Sequence, residues 1–152
     1  MTQAGFEVRD PDYDARVRRS FARQGAMAFL GVEIALLEPG RCTLALHFRP
    51  ELAQQHGYFH GGLVGALADT AGGYAAYTLM GAEASILTAE YKINLLAPAE
   101  GELLLAQGRV VKPGRTLSIS TAEVYVEKHG RRTLCALMQQ TLMAIHGRSD
   151  PA

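Results

Sequence analysis

The feature that most constrains the fold of this chain is a run of small and apolar residues from Gly61 to Leu79, placed between segments with strand patterns. Leucine, valine and alanine occur on every side of this run, and a helix that is apolar on all sides is normally buried. At ~1.5 Å per residue such a helix would span roughly 28 Å, about the width of a small domain. We therefore predict a long central helix that other elements of the chain must cover.

Six segments outside this helix have the composition and alternation of strands. Two precede the helix and are joined by the turn signal at residues 38–40, which predicts a hairpin. Four follow the helix and are separated by short turns. The predicted strands cover residues 31–37, 42–48, 86–96, 103–112, 116–128 and 133–145. Because strands joined by short turns form antiparallel sheets, we expect a curved antiparallel sheet wrapped around the central helix, the α+β architecture called the hotdog fold.

The length and composition fit one such domain. The chain has 152 residues and is 48% hydrophobic, which is enough to build a core. We expect a single domain with a core at about residues 28–146 and an N-terminal helical extension at residues 1–27. The residues from Asp12 to Phe29 are predicted to form one helix, which Asp12 or Asp14 can cap.

Charge and cysteine content limit the partners and the compartment. Lys+Arg and Asp+Glu both number 15, so the charge balance gives no argument for nucleic acid or an anionic membrane as a partner. The start of the chain lacks the apolar segment of a secretory signal, and no stretch is apolar for the length of a membrane span. Cys42 and Cys135 form neither a disulfide framework nor a zinc motif. We predict a cytoplasmic protein with reduced, buried cysteines.

Two features of the central helix indicate chemistry. Gly61 and Gly62 open it, and N–H groups at a helix start can stabilise the oxygen of a polarised carbonyl, although glycines there can equally serve tight packing. Asp69 lies among apolar residues, where a carboxylate is costly unless it is paired or belongs to a site. It could be a structural residue held by Thr70 or Thr78. A desolvated carboxylate can also act as a general base or attack an acyl carbon itself.

The spacing of these two features limits how they can cooperate. Gly62 and Asp69 are seven residues apart, which is roughly 10 Å along a helix. A base and an oxyanion donor must both lie ~3 Å from one reacting centre. A symmetric dimer would bring Asp69 of one subunit to the Gly61–Gly62 turn of the other. We therefore predict a homodimer with composite active sites, a hypothesis that a catalytically competent monomer would contradict.

Two histidines precede the helix. His56 and His60 are four residues apart, a spacing that suits a metal on a helix, but Gly57 interrupts them and no acidic residue completes a ligand set. We therefore predict no metal. His60 is expected to orient the Gly61 turn or the substrate, and His56 either contacts substrate or is only a loop residue. The chain has no Gly-x-Ser-x-Gly elbow and no phosphate-binding glycine loop, which excludes the common serine hydrolases, nucleotidases and dehydrogenases.

The combined motif resembles a known family. His60-Gly61-Gly62 with Asp69 seven residues on, within residues 67–71, resembles the PaaI-like (phenylacetyl-CoA thioesterase type) branch of the hotdog thioesterases. The segment from Gln54 to Gly62 is similar to a subgroup that includes medium- and long-chain acyl-CoA thioesterases. The resemblance covers roughly residues 28–146. It implies hydrolysis of a medium-chain, long-chain or aryl-acetyl CoA, with no cofactor apart from the coenzyme A of the substrate.

The resemblance also implies roles for individual residues. Asp69 corresponds to the family's nucleophile or general base, Gly61 to its oxyanion glycine and His60 to its motif histidine. Gln54 stands where the family usually has an asparagine that helps to hold water, so the amide is kept on a longer side chain. The family's hydroxyl residue falls on Thr88.

Strand alternation conflicts with that role for Thr88. It places Thr88 on the polar face of its strand, away from Tyr91 and Ile93. That placement does not suit a role in the site unless the partner subunit covers this face. Gly62 and His56 are expected to contact the substrate. In this family CoA lies along a groove at the subunit interface, and Lys112, Arg115 and Arg109 near the 112–116 turn are candidates for its phosphates, or ordinary turn charges.

Two other functions remain open on sequence grounds. One is a hotdog hydratase or dehydratase acting on acyl thioesters, for which Asp69 and His60 could transfer protons across a dimer. The hydratase-type pattern of Asp, Asn and His on one helix is missing, which argues against it. The other is a non-catalytic acyl-CoA-binding oligomer, which the placement of Asp69 disfavours. A dimer of dimers is expected, although the sequence leaves dimer and tetramer open.

Overall fold

A computed structural model of the chain describes residues 5–148 and Asp150, and the six strands and the central helix follow the predicted order. The helices are α1 (Tyr13–Ala22), α2 (Gly25–Leu30) and α3 (Gly61–Tyr77). The strands are β1 (Glu33–Glu38), β2 (Arg41–His47), β3 (Ala84–Leu95), β4 (Leu103–Lys112), β5 (Leu117–Lys128) and β6 (Arg131–His146). All six predicted strands are confirmed, with ends shifted by no more than two residues.

The strands form one antiparallel sheet in the order β1-β2-β4-β5-β6-β3. Helix α3 contacts β2, β3, β4, β5 and β6, so the sheet curves around the helix. Alternate side chains of the sheet point at α3, and Leu44, Leu104 and Val124 are 0% exposed. This is the predicted hotdog architecture, with the apolar helix buried inside the sheet.

Close contact between helix and sheet depends on a glycine of β4. A Cβ on Gly108 would lie 2.3 Å from both the carbonyl carbon and the carbonyl oxygen of Ala71, which belong to the backbone of α3. Only a residue without a side chain allows the two backbones to approach to this distance. Gly108 therefore sets how deeply α3 sits in the sheet.

The prediction of one N-terminal helix from Asp12 to Phe29 is wrong. The chain forms α1 and α2 instead, separated by Arg23 and by Gln24, whose backbone is extended (φ −77°, ψ 96°). The Gln24 side chain donates a hydrogen bond to the Tyr74 hydroxyl on α3 (3.0 Å), so a tertiary contact holds the residue where the helix is interrupted. The predicted capping is also wrong, because Asp12 at the N-cap makes no side-chain cap hydrogen bond.

A buried ion pair joins α1 to the end of α3. Arg16 Nε donates to Asp10 Oδ2 at 2.6 Å, and its Nη2 donates to the carbonyls of Tyr77 (3.2 Å) and Met80 (2.8 Å). Burial alone would raise the pKa of Asp10. Hydrogen bonds from Arg16 and from the Asp12 N–H, with the positive charges of Arg16 and Arg19, hold that pKa below its usual value. The pair therefore ties the N-terminal helices to the sheet-wrapped helix.

The expected orientation of Thr88 is corrected by a β-bulge in β3. The pairing of β3 with β6 shifts between Thr88 and Glu90, which leaves Ala89 as an extra residue. Thr88 pairs with Leu142 and Tyr91 pairs with Gln140, and both β6 partners are 0% exposed and face α3. Because the bulge reverses the alternation, Thr88 lies on the same face as Tyr91 rather than on the opposite one.

The cysteines agree with the sequence prediction. Cys42 and Cys135 are free and buried. Burial raises the pKa of Cys42 to about 12 and that of Cys135 to about 11, so both thiols stay protonated near neutral pH. Within the described residues, no helix has both the length and the hydropathy that a membrane crossing requires.

Candidate active site

The carboxylate of Asp69 is held from two strands. Thr88 Oγ1 on β3 donates to Asp69 Oδ1 at 2.7 Å, and Gln140 Nε2 on β6 donates to the same oxygen at 2.9 Å. The structural alternatives considered for Asp69 are not observed, because Thr70 donates to the carbonyl of Ala66 and Thr78 to that of Ala75. Asp69 is only partly buried, so its carboxylate is both fixed and open to a ligand.

Asp69 and Thr88 line a cleft of about 560 Å³ between α1, α3 and the first half of β3, which we call the carboxylate cleft. Other residues of this cleft are Ser20, Arg23, Gln24, Thr70, Gly73, Tyr74, Ile86, Leu87, Leu142 and Asp150. The Tyr74 hydroxyl is hydrogen-bonded to Ser20 (3.1 Å) as well as to Gln24, and burial raises the pKa of Tyr74. The end of α1 and the two residues that follow it thus form one wall of the cavity beside Asp69, which the sequence reasoning did not anticipate.

The start of α3 presents one N–H group that the fold does not use. His60 is the N-cap, and its Nδ1 accepts a hydrogen bond from the Gly62 N–H at 3.0 Å. The N–H groups of Leu63 and Val64 donate to the His60 carbonyl. In the described part of the chain, the Gly61 N–H has no acceptor. Of the two glycines, Gly61 is therefore the one whose N–H can bind a substrate oxygen.

Gly61 opens onto a second cleft of about 430 Å³, which we call the glycine cleft. Gln54 lines it together with Tyr58, Phe59, Val64, Leu95, Leu96, Ala97, Pro98, Ala99 and Cys135. The Gln54 side-chain oxygen accepts the His56 N–H, and the Gln54 N–H donates to the Tyr58 carbonyl (2.9 Å). Gln54 therefore lines the same cleft as Gly61, the candidate oxyanion donor. His56 is exposed and does not line this cleft.

The two clefts share no lining residue. Gly61 is the first residue of α3 and Asp69 follows eight positions later, about 12 Å along a helix. The separation expected from the sequence is therefore present in the folded chain. Asp69 and Thr88 form one half of the candidate site. The other half is formed by Gly61, His60 and Gln54.

The candidate phosphate contacts lie away from the Gly61 half of the site within one chain. All three cations are exposed: Lys112, Arg115 and Arg109. Residues 113–114 of their turn line a small cavity with residues 79–80, which lie just beyond the C-terminal end of α3. Gly61 is at the opposite end of that helix. Arg109 lies on β4, where it pairs in register with Arg41 of β2.

Gln140 is the site residue that the sequence reasoning missed. It lies in β6 at an inward position, in phase with the buried residues Met138, Leu142 and Ala144. Its Nε2 also donates to the backbone carbonyl of Asp69 at 3.2 Å. A glutamine in the apolar phase of a strand is the signal that could have identified it.

Comparison with known proteins gives one family. Residues 56–133 match the thioesterase superfamily model. A crystal structure of a thioesterase family protein from Silicibacter pomeroyi is 49% identical, with a TM-score of 0.88 over 89% of this chain and 99% of that chain. The PaaI protein of the phenylacetic acid degradation operon of E. coli, 19% identical, has the same fold, with a TM-score of 0.81 over 92% of this chain and 98% of that chain.

A curated relative carries a substrate in its name. The 1,4-dihydroxy-2-naphthoyl-CoA hydrolase of Listeria monocytogenes is 24% identical over 111 residues, which are 73% of this chain and 89% of the relative. The family match confirms that the resemblance noted in the sequence is to a thioesterase, and the E. coli PaaI protein shares the fold.

Proposed function

This chain belongs to the thioesterase superfamily and is a thioester hydrolase, and from that premise we propose that it cleaves an acyl-CoA to the free acid and CoA at sites built by two subunits. The observation that carries the proposal is that the candidate catalytic residues of one chain lie in two separate clefts. The name of the Listeria relative, an aromatic acyl-CoA hydrolase, supports a CoA thioester as substrate.

The case for a dimer comes from β3. In the described sheet this 12-residue strand is an edge and pairs only with β6. Leu87, Tyr91 and Leu95 on it are 55%, 50% and 58% exposed, and a long apolar edge favours pairing with another strand. Residues 86–88 line the carboxylate cleft and residues 95–96 the glycine cleft. Antiparallel pairing of two β3 strands around Tyr91 would therefore set the carboxylate cleft of each subunit against the glycine cleft of the other.

In the proposed reaction, Asp69 of one subunit removes a proton from water, or attacks the thioester carbonyl itself. The Gly61 N–H of the other subunit binds the carbonyl oxygen as it becomes negative. In the base variant, the carbon–oxygen bond to water forms, the carbon–sulfur bond breaks, and the CoA thiolate leaves and takes up the proton that Asp69 removed. In the nucleophilic variant, an acyl–Asp69 anhydride forms as the thiolate leaves. Water then hydrolyses the anhydride to the free acid and the Asp69 carboxylate, and a proton from this water passes to the thiolate. Thr88 fixes Asp69, and the Gln54 amide holds the water.

We assign the phosphates of CoA to Lys112, Arg115 and Arg109. Their turn lies beside the first residues of β3, since the Ala144 N–H donates to the Thr116 carbonyl and the neighbouring His146 pairs with Ala84. In the antiparallel dimer that end of β3 faces the partner's glycine cleft. No resident cofactor or metal takes part in this scheme, because CoA enters as part of the substrate.

A dimer of dimers is the proposed assembly. Leu87, Met143 and Leu117 are partly exposed and stand in register across β3, β6 and β5. These side chains form an apolar stripe on the outer face of the sheet, where a second dimer can pack. The two free, buried cysteines fit a reducing compartment, so we place the enzyme in the cytoplasm.

The test is release of free CoA thiol from a panel of short-chain, long-chain and aryl-acetyl CoA substrates by the parent and by Asp69→Asn. We expect Asp69→Asn to lower kcat by about 10²- to 10⁴-fold, the range for a lost general base, with fold and oligomeric state unchanged. Asp14→Asn is the matched control, because Asp14 is an exposed carboxylate on α1 paired with Arg18. Thiol release from no member of the panel, or equal turnover by Asp69→Asn, would contradict the proposal.

A further inference from the structure

We propose that Gln140 is a positioning residue for the reacting carboxylate: its buried amide fixes Asp69 so that one carboxylate oxygen points at the substrate. The inference rests on the proposed function of Asp69 and concerns a residue outside the family motif. Gln140 is 0% exposed, so it acts on the substrate only through Asp69.

The two oxygens of the Asp69 carboxylate differ in the hydrogen bonds that they accept. Gln140 Nε2 donates one hydrogen to Asp69 Oδ1 (2.9 Å) and is also placed to donate to the Asp69 backbone carbonyl (3.2 Å). Thr88 adds a second donor to Oδ1 at 2.7 Å. Within the described residues, Oδ2 accepts no hydrogen bond from the protein. Two donors on one oxygen fix the rotation of the carboxylate and leave Oδ2 free to take a proton or attack carbon.

The position of the Gln140 amide is itself fixed by α3. A Cβ on Gly72 would lie 1.9 Å from Gln140 Oε1 and 2.9 Å from the hydroxyl of Ser120. The amide therefore occupies the space that a side chain at position 72 would need. Gln140 Oε1 and Ser120 Oγ are buried without a hydrogen-bond partner in the described structure.

That unpartnered oxygen argues against a purely structural role. A leucine at position 140 would fill similar volume without burying an unpaired polar atom. Gln140 buries an unpartnered oxygen, which is unfavourable, but its amide N–H groups are the donors that bind Asp69. Proteins keep a side chain that is unfavourable for packing mainly where function requires it. Gln140 is such a side chain, and it contacts the proposed reacting carboxylate.

The first experiment compares kcat and KM of Gln140→Leu with those of the parent, using the thiol-release assay on purified oligomer. Loss of the donors should lower kcat by about 10- to 100-fold, since a small displacement of a reacting group costs this much, and leave KM within about twofold. Gln140→Glu adds a pH readout. A second carboxylate beside Asp69 should move the acidic limb of the kcat profile upward by about one pH unit, because like charges disfavour ionisation.

A second pair of variants keeps the test valid if Gln140→Leu fails to fold. Gly72→Ala displaces the amide without changing its chemistry, and we expect kcat to fall in the same direction with KM retained. Gly65→Ala is the matched control on the same helix, because its Cβ would meet only Ile93 Cδ1 at an ordinary 3.9 Å.

The outcomes separate this inference from the proposed function. Parent-like kcat in folded Gln140→Leu or in Gly72→Ala, while Asp69→Asn is inactive, would overturn the role of Gln140 and leave Asp69 in place. Parent-like kcat in Asp69→Asn would remove the basis of both. A lower kcat in Gly72→Ala but not in Gly65→Ala, together with the shifted profile of Gln140→Glu, would establish the positioning role.

Discussion

Replacing Gly61 by proline would delete the one N–H group that the proposed oxyanion site needs and leave the helix start intact. Gly61 is the first residue of α3, a position that favours proline because its N–H has no helical partner. His60 before it has φ −62° and ψ 132°, the conformation that a residue preceding proline adopts. A Cβ at position 61 would meet Leu95 Cδ1 at 3.0 Å, and this atom ends a flexible side chain.

The expected magnitude follows from the loss of one oxyanion donor, which is about 10²- to 10³-fold in kcat. Gly61→Ala is the matched control, since it adds the same Cβ and retains the N–H, and it should stay within a few-fold of the parent. The assay is thiol release with circular dichroism as the check of folding. Equal losses in the proline and alanine variants would refute the reasoning, because the effect would then come from crowding at Leu95 and not from the N–H.

Mixing Gly61→Pro with Asp69→Asn tests whether the two groups act across subunits. After random exchange about half of the dimers are mixed, and each mixed dimer carries one intact site of two. Activity should therefore recover to about 25% of the parent, starting from two inactive proteins. Native mass spectrometry would verify exchange. Confirmed exchange without recovery would mean that both groups serve a site within one chain.

Three further predictions concern stability and reactivity. Gly108→Ala should lower the free energy of unfolding by about 3 kcal/mol in urea titrations, because its Cβ would collide with backbone, whereas Gly25→Ala, with nothing within 4 Å, should be neutral. Asp10→Asn should cost about 3 kcal/mol at pH 7 by leaving Arg16 buried and unpaired. Since the folded-state pKa of Asp10 is lowered, the stability from its ionisation is present above the unfolded value of 3.8 and fades as the pH falls through the folded value. The difference between the parent and Asp10→Asn should therefore shrink in urea titrations toward pH 3. Cys42, whose pKa is raised to about 12 by burial, should resist alkylation in the native protein and react in urea, and fast native labelling would contradict its burial.

The sequence was sufficient to predict the sheet and the buried helix, because apolar periodicity reports directly which residues leave water. The helix from Gly61 and the strand from Leu103 to Lys112 begin where the pattern predicted. Prediction failed where a tertiary contact decided the local conformation. Gln24 interrupts the N-terminal helix while bonded to Tyr74, a residue 50 positions away that no local pattern connects to it.

The candidate site was predictable to the extent that it follows a local motif. Gly61 and Asp69 lie on one helix, so their separation could be worked out from the helical rise. Thr88 was placed on the wrong face because alternation assumes a regular strand, and Ala89 has no property that indicates a bulge. Gln140 reaches Asp69 only after the sheet has curved around α3, and this contact spans 71 residues of sequence.

The bulge at Ala89 makes β3 tolerant of both substitution and deletion at that position. Ala89 has no partner in the ladder, so the identity of its side chain matters little to the pairing with β6. Its removal would close the bulge, because the pairs Thr88–Leu142 and Glu90–Thr141 would then follow one another in a regular ladder with no face exchanged. Thr88 would stay beside Asp69, and Leu95 would stay beside Gly61. The bulge therefore lets β3 carry one residue more than β6 needs, while both halves of the candidate site remain on the face toward α3.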